Sequence, residues 1–305
     1  MGDDVADIDY VAAVLGCSRA VALKLTARDA KLYQRFPRVK PNGGVRMISA
    51  PVGELKAAQW HLSQWLGSYA PASDSAHGFV AGRSVVTNAM PHVRRAVVVK
   101  MDVDGFFPSV GFRRVEGIFL RLGVQAGAAR MLAVVATEPR DGDGRITSRV
   151  LPQGAPSSPA VTNVVCRKLD RRLAGLARAH EMSFTRYADD ITLSGDGDVD
   201  AAGVVRSVAG ILRDEGFEAN ESKTLVMLAG ERQTVTGVVV NRRLEVPPEF
   251  IVATRSLARR APQVGTREAD ELAGRLSWIG MIDREVAVAL CRELGIERTF
   301  RPAVR

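Results

Sequence analysis

Three carboxylates stand where side chains of their type could do chemistry. Asp102 closes the apolar run Ala96-Val97-Val98-Val99-Lys100-Met101. Asp189 and Asp190 form a tip between Phe184-Thr185-Arg186-Tyr187 and Ile191-Thr192-Leu193. A carboxylate beside a buried strand is costly unless it is paired or binds a metal. Convergent Asp side chains suit hard, oxygen-seeking cations such as Mg²⁺. Two such ions, about 3.5–4 Å apart, can activate a hydroxyl and stabilise a departing pyrophosphate. In-line phosphoryl transfer asks little more of a protein than that clamp and good positioning. An isolated Asp-Asp pair also has a plainer reading as a turn, because Asp is a favoured turn residue.

Periodicity indicates the elements that must position these residues. The run ending at Asp102 is apolar on both faces, as a buried central strand is. The tip at Asp189-Asp190 lies between two further strands. Residues 1–36 carry Val11, Val14, Leu15, Val21 and Leu25 at near-helical spacing. Pro41-Asn42-Gly43-Gly44 is a strong turn signal and predicts a hairpin from Pro37 to Pro51. Leu55, Trp60, Leu62, Trp65 and Leu66 predict a helix over 53–69. Ser158-Pro159 predicts a helix start, with Ser as N-cap and Pro in first position, running through Val161, Val165, Leu169, Leu173 and Leu176. Ala201 to Leu212 reads as helix, and Thr224–Leu228 and Val235–Val240 read as strands. From Pro247 the pattern is helical to the end, with breakers at Ile279-Gly280 and Gly295. Hairpins rather than strict strand–helix alternation predict an α+β fold with an antiparallel sheet and packed helices.

The 305 residues suffice for one large core or two modest domains. No apolar run approaches the roughly 18 residues of a membrane span, so no membrane association is expected. Asp3, Asp4, Asp7 and Asp9 give the N-terminus the wrong sign for a targeting signal, and a cytoplasmic location is expected. Cys17, Cys166 and Cys291 are scattered and odd in number, and the four histidines are dispersed. Neither a disulfide framework nor a zinc site is suggested. Lys plus Arg number 42 against 34 Asp plus Glu, a net charge of +8, and 35 of the 42 are Arg. A basic surface favours a polyanionic partner, and guanidinium forks grip phosphate. A GC-rich coding sequence yields the same Arg excess, so composition alone does not choose.

Four segments, in order, resemble the reverse transcriptase family. Asp102-Val103-Asp104-Gly105-Phe106-Phe107-Pro108-Ser109 is similar to its first carboxylate motif. Leu151-Pro152-Gln153-Gly154-Ala155-Pro156-Ser157-Ser158-Pro159 is similar to its Gln-Gly loop, and Tyr187-Ala188-Asp189-Asp190 to its second carboxylate motif. Gly216-Phe217-Glu218-Ala219-Asn220-Glu221-Ser222-Lys223 is similar to its lysine-bearing segment. The resemblance covers roughly residues 35–245. It implies a right-hand polymerase: an N-terminal helical segment (1–36), fingers (37–95), first part of the palm (96–115), a fingers–palm connection (116–155), second part of the palm (156–243) and a small helical, RNA-binding thumb (244–305). It implies an RNA-directed DNA polymerase acting on dNTPs with two Mg²⁺ ions, or Mn²⁺ in their place. On this resemblance Asp102, Asp189 and Asp190 are catalytic, and all three, with Val103, form the metal site. Phe107 takes the place of a steric gate against a 2′-hydroxyl. Gln153 and Gly154 lie against the incoming nucleotide, and Lys223 approaches the triphosphate or protonates pyrophosphate. Lys40 and Arg46 look like the fingertip bases that hold triphosphate.

Two more segments narrow the resemblance. Asn88-Ala89-Met90-Pro91-His92 and Val235-Thr236-Gly237 are similar to the Asn-Ala-x-x-His and Val-Thr-Gly signatures of retron reverse transcriptases. This implies a cognate structured non-coding RNA, primed from a 2′-hydroxyl of an internal guanosine and partly copied into a branched RNA–DNA hybrid. It also implies an effector protein and a role in defence against phage. Asn88, His92, Val235, Thr236 and Gly237 are then expected at the RNA. Arg255, Arg259 and Arg260, in a segment that also carries Arg242, Arg243 and Arg267, suit the phosphates and 2′-hydroxyls of a folded RNA. Glu268, Asp270 and Glu271 nearby fit a merely solvated face equally. The alternatives are another bacterial reverse transcriptase (intron-derived, diversity-generating or CRISPR-linked) and a non-catalytic RNA-binding scaffold. A scaffold has no need of three convergent carboxylates.

Overall fold

The computed structural model describes residues 2–27, 32–39, 43–142, 145–260 and 267–296. The expected N-terminal helix is two: α1 (Gly2–Leu15) and α2 (Arg19–Thr26), the second capped by Ser18, which accepts from Val21 N at 3.3 Å. Next comes the expected hairpin, β1 (Tyr33–Val39) with β2 (Val45–Pro51). Its first strand begins at Tyr33, inside the stretch expected to be helical, because Tyr33–Phe36 pair with Ile48–Pro51. Helix α3 (Gly53–Tyr69) lies where apolar spacing put it and buries Leu55, Leu62 and Leu66. After α4 (Val85–Ala89) and a 3-10 turn (Met90–His92) comes β3 (Val97–Asp104). Helices α5 (Phe112–Arg121) and α6 (Ala126–Ala136) and the hairpin β4 (Glu138–Gly142)–β5 (Arg145–Val150) follow.

The helix expected from Ser158 to Leu176 is two, α7 (Ser158–Val165) and α8 (Arg167–Ala179). Ser158 is not the N-cap: Ser157 holds that place, and Ser158 Oγ donates back to the Pro152 carbonyl at 2.7 Å. Strands β6 (Ser183–Tyr187) and β7 (Asp190–Gly195) precede α9 (Ala201–Asp214) and β8 (Glu218–Leu228). The single strand expected at 235–240 is instead a small hairpin, β9 (Thr234–Val235) and β10 (Val238–Val239). Thr236 and Gly237 between them have φ of +47° and +81°, which no continuous strand accommodates. Helices α10 (Pro248–Arg260), α11 (Arg267–Ile282) and α12 (Arg284–Glu293) complete the described chain. Gly280, expected to break a helix, is buried in the last turn of α11.

Two compact units alternate along the chain: residues 1–76, 103–173 and 208–220, and residues 77–102, 174–207 and 221–305. In the first, α1, α2, α3 and α6 pack on one another. Buried Gln59 ties α3 to the β1 side chain Tyr33 and to the α6 carbonyl of Val135, both at 2.8 Å.

The second unit is built on a sheet of order β6-β7-β3-β8, in which β7 runs antiparallel to both β6 and β3. Side chains alternate across a strand. One face therefore carries Asp102, Lys100 and Val98 of β3, Asp190, Thr192 and Ser194 of β7, and Thr185 and Ser183 of β6. The other carries Met101, Val99, Ile191, Leu193, Phe184 and Arg186. Helix α4 and the 3-10 turn cover the far end of the polar face, where Ala89, Val98, Met227, Val235, Val238 and Val240 form an apolar cluster. Helices α10 to α12 share a core of Leu257, Leu272, Leu276, Ile279, Ala287 and Leu290. This is the expected α+β architecture, with an antiparallel sheet and packed helices. Among the described residues no helix is long and apolar enough to cross a membrane.

Candidate active site

Sheet register brings the three carboxylates together. Asp102 on β3 pairs directly with Asp190 on β7, and Asp190 pairs in turn with Tyr187 on β6. Ala188 and Asp189 are the whole turn between β6 and β7. Ala188 has φ +56°, a left-handed conformation that costs an L-residue energy and persists only when its surroundings enforce it. Two neighbours do so. Arg186, fully buried on the opposite face of the sheet, donates from Nη1 to the Ala188 carbonyl at 3.0 Å. Gly78 lies against the turn so closely that a Cβ there would sit 2.5 Å from Ala188 N. The His77 N–H fixes that approach by donating to the Arg186 carbonyl at 2.8 Å.

Neither Gly78 nor Arg186 was among the residues the sequence singled out. For Gly78 there is no local signal, since its neighbour across the gap is distant in the chain. For Arg186 there is one: it shares a strand face with Phe184, Ile191 and Leu193, where a lone cation is out of place.

The carboxylates crowd one another. Burial pushes the Asp189 pKa up to about 6, and the charges of Asp190 and Asp102 add to the shift. Asp190 is likewise raised by burial, with Lys100 opposing and Asp102 adding. Lys223 on β8 answers part of this charge: its Nζ donates to Asp102 Oδ2 at 2.8 Å, and that bond raises the lysine pKa. Among the described residues no three His, Cys, Asp or Glu side chains already converge as a metal-binding group. The donor set nonetheless fits a hard divalent cation. It offers carboxylate oxygens, its negative charge is under-compensated, and an ammonium stands at Asp102 where a cation would be held. Val103, with its side chain buried, has only its backbone carbonyl to offer, and Asp104 is exposed.

Apart from Lys223, the residues expected around a nucleotide belong to the first unit. Phe107 is half-buried, its ring 5.5 Å from Phe106; Phe106 stacks on Phe217 at 5.9 Å, and the Arg114 guanidinium lies 4.4 Å from the Phe217 ring centre. The Gln-Gly loop is seated on β2, where the Ser49 N–H donates to the Gln153 carbonyl at 2.8 Å. Gly154, at φ +122°, has no room for a side chain: a Cβ would meet Ile48 Cγ2 at 2.9 Å and the Ser49 carbonyl oxygen at 3.2 Å. Arg46 is exposed, and register puts Arg38, a residue the sequence did not single out, directly opposite it. Like charges so placed repel unless an anion bridges them. Lys40 lies outside the described residues.

The residues expected at RNA divide by exposure. Asn88, His92 and Val235 are completely buried, whereas Thr236 is half-buried and Gly237 exposed. The two signature segments meet, with Asn88 Nδ2 3.5 Å from Thr236 Oγ1. Arg255 is held by Glu293 through contacts of 2.9 to 3.1 Å, while Arg259 and Arg260 are exposed in the last turn of α10.

The family profile described as "Reverse transcriptase (RNA-dependent DNA polymerase)" matches residues 39–257. The chain is 43% identical over 298 residues to the retron Mx65 reverse transcriptase of Myxococcus xanthus, covering 92% of this chain and 70% of that one. It is 42% identical over 281 residues to the retron Mx162 reverse transcriptase of the same organism, covering 82% of this chain but only 58% of that one. A solved structure of telomerase from Candida albicans with a fragment of telomeric RNA is similar at TM-score 0.50 and 9% identity, covering 90% of this chain and 58% of that chain, a likeness of fold alone.

Proposed function

Because the chain belongs to the reverse transcriptase family and is an RNA-directed DNA polymerase of retron type, we propose that Asp102, Asp189 and Asp190 hold two Mg²⁺ ions for DNA synthesis. The observation that carries this reading is the direct pairing of Asp102 with Asp190, with Asp189 in the adjoining turn. Bound there, the ions supply activation of the primer hydroxyl and neutralisation of the departing pyrophosphate. The Val103 carbonyl is available beside Asp102. With cations held at Asp102, Lys223 would no longer be its partner, and its ammonium would be free to meet the triphosphate or to protonate pyrophosphate. The Phe107 ring, backed by Phe106 and Phe217, blocks a ribose 2′-hydroxyl. Gln153 and Gly154 form the wall against which the dNTP lies. Arg46, opposed by Arg38, binds the triphosphate together with Lys40, and the triphosphate charge relieves the repulsion between the two guanidinium groups.

The template is a cognate structured RNA, held by members of the expected set that are not fully buried: Thr236, Gly237, Arg259 and Arg260. Arg255 joins them if it leaves Glu293. Priming from an internal 2′-hydroxyl, a branched RNA–DNA product, an effector protein and action against phage follow from the retron type. One experiment tests both chemistry and priming. Nucleic acid that co-purifies with the full chain is isolated and treated with a 2′–5′ debranching enzyme. DNA joined to RNA through a debranching-sensitive linkage is expected, and its absence is expected from the Asp189→Asn/Asp190→Asn double variant. Only free, conventionally primed DNA would remove the retron priming. Synthesis by the double variant would remove the assignment of the carboxylates.

A further inference from the structure

His92 is a buried ring with two hydroxyl partners. Nδ1 is 2.7 Å from Ser194 Oγ on β7, and Nε2 is 2.8 Å from Thr185 Oγ1 on β6. Proton direction follows from the neighbours. Thr185 has one hydroxyl proton and gives it to the Asn88 carbonyl at 3.4 Å. Its oxygen therefore accepts from His92 Nε2–H, which leaves Nδ1 to accept from the Ser194 hydroxyl. A neutral imidazole has that one donor and one acceptor, and burial keeps this ring neutral by lowering its pKa to about 3.

The chain of bonds continues outward. Asn88 Nδ2 donates to Thr236 Oγ1, and Thr236 Oγ1 donates to the Val85 carbonyl, each at 3.5 Å. Thr236 is β-branched yet sits at φ +47°. A branched residue in that region is an outlier, and such strain is held only where the surroundings demand it. The path thus runs from an exposed turn, through α4, into the two strands that carry Asp189 and Asp190. Because His92 bonds to both strands, it resists any slip of β6 against β7, and such a slip would displace the Ala188-Asp189 turn that joins them.

We propose that Asn88 and His92 are positioning residues for the β6–β7 turn, and that Thr236-Gly237 is the outer end of the same hydrogen-bonded path. RNA seated on that turn then bears on the rate of synthesis as well as on affinity. The inference rests on reading Asp189 and Asp190 as the catalytic carboxylates.

The test is dTTP incorporation by the full chain on poly(rA) primed with oligo(dT), with kcat, KM for dTTP and template Kd measured separately. His92→Phe keeps the ring shape and loses both bonds. It is expected to lower kcat about 10- to 100-fold while KM and Kd stay unchanged. His92→Gln, which restores a donor and an acceptor, should recover part of the loss. Thr236→Val should lower kcat several-fold, and adding Asn88→Ala should cost no more than the worse single change, as expected for members of one path. If His92→Phe does not fold, Thr236→Val, at a half-exposed position, carries the test. Unaltered kcat in these variants, or losses confined to Kd, would overturn the proposal. Asp189→Asn is run alongside: its activity would defeat the underlying reading, whereas its inactivity beside unaltered His92 and Thr236 variants would defeat only this one.

Discussion

Phe107 is held in place by its neighbours. Phe106 lies between it and Phe217, and Arg114 closes the stack behind. In the proposed role as steric gate, a ring so braced would resist swinging aside for an extra hydroxyl. Replacing Phe107 with Val is expected to lower the preference for dNTP over rNTP, measured as the ratio of kcat/KM values, by about 10- to 100-fold. An unchanged ratio would return Phe107 to ordinary packing. Residues of this kind were legible in the sequence because motif order fixes them. Asp102 was legible without any motif, since a carboxylate ending an apolar strand is conspicuous. His92 and Asn88 were placed by motif and expected at RNA, and both are buried. Their burial comes from α4 folding over Thr185 and Ser194, a contact between distant parts of the chain that spacing does not reveal.

The turn between β6 and β7 depends on elements that touch it, and Gly78 is the closest. A methyl group at Gly78 would push on backbone, the Ala188 nitrogen and the Tyr187 carbonyl carbon, which cannot rotate away as a side chain can. Gly78→Ala is expected to lower kcat about 10- to 100-fold, with template affinity retained, because the turn must shift. Gly67→Ala is the control. That glycine lies in the last turn of α3 with open space around it, so the change should add about 0.5–1 kcal/mol of stability and leave kcat alone. Comparable losses of activity in both variants would remove the special role of Gly78. Elements with strong period were legible: α3 along its whole length, and β3 as far as Asp102, two residues short of its end at Asp104. The stretch at Tyr33–Phe36 was not, because only pairing with Ile48–Pro51 makes it a strand. The β9–β10 hairpin was hidden because its turn uses a threonine where glycine or asparagine is usual.

For the whole molecule, acid and base act on different groups. The Asp189 pKa is raised to about 6, so the folded chain keeps a proton that the unfolded chain releases near pH 4. That stabilising difference is complete below about pH 4 and is lost as pH rises through 6. His92 and His77 are lowered, mainly by burial, to about 3 and about 4. Their contribution is complete above about pH 6.5 and is lost as pH falls toward those values. Mg²⁺ should therefore raise the melting temperature more at pH 7.5, where Asp189 is charged, than at pH 5.5, where it holds its proton. Thermal melts with and without Mg²⁺ at both pH values measure this. An equal shift at both, or the same pH dependence in Asp189→Asn, would contradict it.

Strand β8 is the last strand in the sheet order, and its two halves differ in character. Glu218, Glu221 and Lys223 bear charge, whereas Leu225, Val226 and Leu228 are each at least 41% exposed. A terminal strand of that composition is a template for strand addition by another chain wherever its outer edge is unpaired, and charged residues beside it are the usual guard. Lys223 is the last charge before the apolar half. Its substitution therefore threatens colloidal behaviour as well as chemistry, and a Lys223 variant that precipitates has failed in solubility before its chemistry can be read.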